Sequence, residues 1–179
     1  VKKTLIYFGN PKLRKKSVEV TSITEEVKVL VSEMIEVMDA KKGVGLAAPQ
    51  LGEHLRIFII RPEIVLPNNE ITLGPVEVFI NPRLFDPSKE THTMAEGCLS
   101  IPGIHVEVIR PIAISIEALD LNGNKISFRA EGFKARELMH ENDHLNGVLF
   151  VDRVSDELKK EIEPFLRNFK KRLKPKNGY

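Results

Sequence analysis

The chain has 179 residues, of which 42% are hydrophobic and 29% charged, the ordinary proportions of a soluble globular protein with a substantial core. A net charge of +2 is too small to argue for a nucleic-acid partner, and a bilayer span would need roughly 20 apolar residues in a row, which the chain lacks. Cys98 is the only cysteine, so no intramolecular disulfide can form.

A reducing setting suits that cysteine usage. The apolar part of Val1–Ile6 is too short for a signal peptide. A bacterial cytoplasm is therefore the expected location, with an organellar origin left open. Residues 1–179 are read as a single catalytic domain and an expected monomer, ending in a basic run at 170–179.

In chain order, the first 20 residues look irregular, with Gly9-Asn10-Pro11 as a turn signal. Val27, Leu30, Val31, Met34, Ile35 and Met38 then follow a helical stripe. Thr24 serves as N-cap, Glu25 and Glu26 suit the first turn, and Gly43 is the stop. Ile57–Ile60 and Val76–Ile80 read as strands separated by a polar loop containing Pro67-Asn68-Asn69. Ile112–Leu119 alternates, and Asp120-Leu121-Asn122-Gly123 reads as a hairpin turn into Lys125–Arg129. A second helix is expected over Gly132–Asn146, ended by Gly147. A third stripe runs through Leu158, Ile162, Phe165, Leu166 and Phe169, capped by Ser155, and Pro164 is expected to kink or break it. This order predicts an α+β fold. Antiparallel β-sheets pack around a central helix, with an N-terminal and a C-terminal helix beside them.

The strongest chemical signal is His140-Glu141-Asn142-Asp143-His144. Residues four apart lie on one helix face. Two imidazoles at that spacing can bind one metal ion, and the acid beside the first can reach a bound water. Two solvated surface histidines are the plainer alternative. Cys98 is the obvious third ligand, since a thiolate binds zinc or ferrous iron strongly. A buried, inert thiol is its plain reading. Gly97 before it permits a tight turn in Glu96-Gly97-Cys98-Leu99-Ser100. Gly43-Val44-Gly45-Leu46-Ala47-Ala48-Pro49-Gln50 has small residues that let another backbone come close, but lacks the Lys-Ser/Thr ending of a phosphate loop.

Together, GVGLAAPQ at 43–50, EGCLS at 96–100 and HENDH at 140–144 resemble the three signatures of the peptide deformylases, in order and with suitable spacing. The similarity extends from about Tyr7 to Arg153. It implies that Cys98, His140 and His144 bind ferrous iron with a water as fourth ligand, and that zinc, nickel or cobalt can substitute. Glu141 would take a proton from that water and pass it to the leaving amine. The Gln50 side chain and the Leu99 backbone N–H would stabilise the oxyanion, with Gly45 near the substrate backbone. Val44, Met94 and Phe133 would line a pocket for the methionine side chain; their plain reading is core. The implied reaction releases formate from the N-formyl-methionine of nascent proteins. Nascent peptides are then the implied partners, and the basic tail is a candidate ribosome contact.

The chain departs from the family pattern at Met139, Lys42 and His105, and most notably at Glu137, which shares the face of His140 and His144 where relatives tend to be apolar. Glu137 is expected either to touch the methionine pocket, to bond to a site residue, or to be a solvated carboxylate at the rim. Three other functions compete. A zinc peptidase would share the paired-histidine helix but usually takes a third His or a carboxylate. A Cys98 nucleophile with a histidine base would be labelled covalently and indifferent to metal removal. A non-catalytic metal-bound module would not need Gln50, Cys98 and Glu141 together.

Overall fold

The computed structural model describes residues 2–173. Helix α1 spans Glu25–Ala40, and the Thr24 hydroxyl accepts from the Val27 N–H as its N-cap. Among the described residues nine strands follow: β1 Gly45–Ala47, β2 Ile57–Ile60, β3 Glu63–Val65, β4 Ile71–Leu73, β5 Glu77–Phe85, β6 Thr91–Cys98, β7 Ile101–Pro111, β8 Ala113–Leu119 and β9 Lys125–Glu131. Helix α2 spans Gly132–Leu145 and α3 spans Asp156–Leu173. The mixed α+β architecture with antiparallel sheets and three helices is the one expected.

The main sheet is antiparallel with strand order β1-β2-β5-β8-β9. Its centre is dry on both faces. Ile57 and Ile59 of β2 pack with Val31, Met34 and Met38 of α1, while Phe58 and Ile60 pack with Phe79, Ile116 and Leu138 on the α2 side. The two-residue period of a strand sends alternate side chains to opposite faces, so a run of four apolar residues serves both helices. Burying each such side chain contributes about 1.5–3 kcal/mol. A second layer forms where the long β6–β7 hairpin meets Leu149–Val151 and Ile162 of α3.

Several boundaries differ from the sequence expectation. β5 continues to Phe85 through Asn81-Pro82, because Asn81 adopts φ 51° at a register shift. This break in the ladder accommodates the proline that lacks an N–H. The loop around Pro67 is flanked by the short β3–β4 pair. Helix α3 does not break at Pro164. Pro164 and Lys160, whose carbonyl loses its partner, are both exposed, so water can satisfy that carbonyl. The Ser155 hydroxyl does cap α3, accepting from the Leu158 N–H at 3.2 Å. Of the basic run at 170–179, residues 174–179 lie outside the described part.

Candidate metal centre and active-site cavity

The site forms where α2 faces the turn of the β6–β7 hairpin. On α2, the helical repeat places Phe133, Glu137, His140 and Glu141 along the wall of a cavity of about 650 Å³. The hairpin contributes Glu96, Cys98 and Leu99, and the segment after α1 contributes Val44, Gly45 and Gln50. Glu96 and Cys98 are two apart on β6 and point to the same side, toward the α2 histidines. Pairing passes from Glu96↔Val106 to Cys98↔Ile101, leaving Gly97 at a bulge. A Cβ at Gly97 would lie 2.6 Å from the His105 ring, so a larger residue there would have to turn that exposed ring aside.

The Cys98 thiol and one nitrogen each of His140 and His144 lie within 4.8 Å of one another. Cys98 Sγ is 3.4 Å from His144 Nε2. His140 Nδ1 is 2.9 Å from the Glu96 carboxylate, which fixes the tautomer and leaves Nε2 free as a ligand atom. The donor set is therefore coherent for one ion. A thiolate and two imidazoles converge and the first imidazole is oriented from behind, in a three-ligand set of the catalytic rather than structural kind.

Behind the histidines lies a buried ion cluster. The Arg110 guanidinium donates to both Glu96 oxygens, at 2.6 and 2.9 Å, and to Asp143 at 3.0 Å. Arg136 also donates to Glu96 and to the Val108 carbonyl, and Arg153 grips Asp143 at 2.8 and 3.1 Å. Burial alone would raise the Glu96 pKa, but hydrogen bonds from His140 and Arg110 hold it far below the usual carboxylate range. Glu96 is thus a fixed anion for the Nδ1–H of His140.

Glu141 contrasts with it. Its carboxyl is buried, with Oε2 unpaired, and burial pushes its pKa up to about 7, where a proton acceptor and donor works best near neutrality. A Cβ at Gly45 would sit 2.5 Å from Glu141 Oε1; the glycine makes room for this carboxyl. Gln50 is 1% exposed. Its amide oxygen accepts from the Ala47 N–H at 2.9 Å, and its amide nitrogen donates to Ser100 Oγ at 3.0 Å and to Cys98 Sγ at 3.5 Å. Leu99 occupies the turn beside Cys98, its side chain against Gly43.

Val44 and Phe133 lie in the cavity wall, whereas Met94 is not part of it; Met94 pairs with Val108 one step up the hairpin. Glu137 corrects one expectation. It is no solvated rim carboxylate but 7% exposed, in the wall, with neither oxygen bonded among the described residues. The sequence reading missed Arg110, Arg136 and Arg153. Arg110 had a faint signal, since it continues the inward side of Val106 and Val108 on β7.

A Cys/His/His cluster that could hold a metal, beside a cavity and an acid with one oxygen unbonded among the described residues, fits a hydrolase-type site on an α+β fold. The sequence and fold comparisons agree. The family model for polypeptide deformylase matches residues 2–160. The peptide deformylase of Borreliella burgdorferi is 39% identical over 164 residues, covering 91% of this chain and 94% of that one. Among solved structures, a plant peptide deformylase aligns with TM-score 0.88 at 34% identity, covering 99% and 94% of the two chains. A class I type b enzyme from Acinetobacter baumannii, solved with Met-Ala-Ser bound, aligns with TM-score 0.78 at 30% identity, covering 86% and 99%. The chain belongs to the peptide deformylase family.

Proposed function

We propose that this chain hydrolyses the N-formyl group of formyl-methionyl nascent peptides, releasing formate and a free amino terminus. The observation that carries the proposal is the meeting of Cys98, His140 and His144 beside a cavity whose wall holds Cys98, His140 and Glu141. The Met-Ala-Ser bound to the Acinetobacter relative has the form of such a product.

Cys98, His140 and His144 would hold ferrous iron, with zinc, nickel or cobalt as substitutes. When bound, the ion supplies Lewis acidity that polarises the formyl oxygen and acidifies water. Glu141 takes a proton from the attacking water onto its carboxyl and returns it to the leaving amine nitrogen. Gln50 Nε2 and the Leu99 N–H donate to the oxyanion as it develops; the long contact to Cys98 Sγ is the weaker claim on the Gln50 amide. Gly45 leaves the substrate backbone a close approach, and Val44 and Phe133 flank the first side chain. Met94 would join them only from outside the present wall.

The test is formate release from a formyl-methionyl tripeptide by iron-loaded protein, with the acetyl peptide as control. Formate with no acetate supports the reading; cleavage of neither, in a sample of verified metal content, overturns it. The enzyme is proposed to act as a cytoplasmic monomer that meets ribosomes through 170–179. Co-sedimentation with ribosomes at low salt should fall when that run is deleted, and unchanged co-sedimentation would refute the docking role.

A further inference from the structure

Glu137 is a buried carboxyl that the mechanism does not use. It lies one turn from Phe133 and one from Glu141 on the cavity face of α2, roughly 6 Å along the axis from the catalytic acid. Both of its oxygens are shut off from water and bond to nothing among the described residues. A buried carboxylate without a donor is costly, and such a group stays protonated instead. Its neighbours reinforce this. Burial first, then the charges of Glu141, Glu63 and Glu77, push its pKa up to about 8, while Lys134 is held by Glu77 at 3.0 Å. A protonated carboxyl carries an O–H donor, and here that donor has no acceptor among the described residues.

We infer that Glu137 reads the end of the substrate's first side chain, donating a hydrogen bond to the methionine sulfur and so distinguishing a thioether from a hydrocarbon of the same shape. This rests on the formyl-methionine reading above. Val44, Phe133 and Glu137 line one cavity, and rotation about the Glu137 side-chain torsions turns its covered carboxyl toward a side chain lying there. The thioether is a weak acceptor, the sulfoxide formed on its oxidation a strong one, and norleucine none. A purely apolar wall would rank the three by hydrophobicity alone.

The test compares kcat/KM for formyl-methionyl, formyl-norleucyl and formyl-(methionine sulfoxide) tripeptides in the iron-loaded wild type, Glu137→Leu and Glu137→Gln. A hydrogen bond to so weak an acceptor falls at the low end of the neutral range and predicts a methionine-to-norleucine ratio of about two- to threefold in the wild type. It should collapse toward unity in Glu137→Leu and be largely kept in Glu137→Gln, which retains a donor. The sulfoxide peptide should lose most in Glu137→Leu. Calorimetry with the products Met-Ala-Ser and norleucyl-Ala-Ser should give the same ratio in Kd without turnover. Equal ratios in the wild type and Glu137→Leu overturn the assignment, as does a wild-type ratio near unity if that variant fails to fold. No formate from any peptide would overturn the underlying formyl-methionine reading instead.

Discussion

Replacing Arg110 by Met should destabilise the protein far more than it disturbs its shape. The Arg110 side chain is 5% exposed and bridges Glu96 to Asp143. Removing one partner of a buried pair costs about 3–5 kcal/mol, because a charge is left without compensation. Here each acid keeps a second guanidinium, Arg136 for Glu96 and Arg153 for Asp143, so the lower end, about 3 kcal/mol, is expected. For a chain of this size that is a fall in Tm of about 6–12 °C. The cost should depend on pH in a defined direction. The folded pKa of Glu96 is depressed, so its stabilising contribution is complete above the unfolded value, about 4.3, and lost as pH falls toward the folded value. Urea denaturation of the wild type and Arg110→Met should therefore give a wide gap at pH 7 that narrows below about pH 4. A gap under about 1 kcal/mol at pH 7 would mean that the cluster behaves like an ordinary surface network, and the reasoning would fail. Metal affinity should fall about 10- to 100-fold in the same variant, since Glu96 orients His140.

Gly45→Ala should fold yet lose at least about tenfold in kcat, because its Cβ meets Glu141 Oε1; wild-type turnover would show that the carboxyl does not need that space. Gln50→Leu should lower kcat by about 10²–10³ with metal content kept, if its amide serves the oxyanion, and a change confined to KM would remove it from that role. The raised pKa of Glu137 has the opposite pH sign to that of Glu96. The folded state binds the extra proton between about pH 4.5 and 8, so stability falls as pH rises through that window. In melting scans Glu137→Gln should flatten that decline, and an unchanged slope between pH 5 and 8 would contradict it.

The helices and both of their caps at Thr24 and Ser155 were legible because periodicity and capping are local properties. The candidate metal ligands were legible too, since His140 and His144 share a helix face whatever surrounds it. The β6–β7 hairpin was not. Thr91–Cys98 carries polar residues on much of its length and exposes most of them, so alternation is weak, and its stability comes from β7 rather than from its own pattern. Arg110 and Arg136 read as surface charges until the acids from distant segments are brought to them. Glu137 was visible as an oddity on the right face, but its burial in the cavity wall and the charges of Glu63 and Glu77 that raise its pKa come from distant segments, which no local spacing encodes. Pro164 misled because its cost falls on a carbonyl that solvent can satisfy.

The central claim, that three residues hold a metal and Glu141 moves the proton, is tested most directly by measuring bound metal and formate release on the same samples of wild type, Cys98→Ser and Glu141→Ala. Cys98→Ser should lose both metal and activity, whereas Glu141→Ala should keep its metal and lose activity. Formate release at the wild-type rate from metal-loaded Glu141→Ala, or full metal retention without Cys98, would contradict the account.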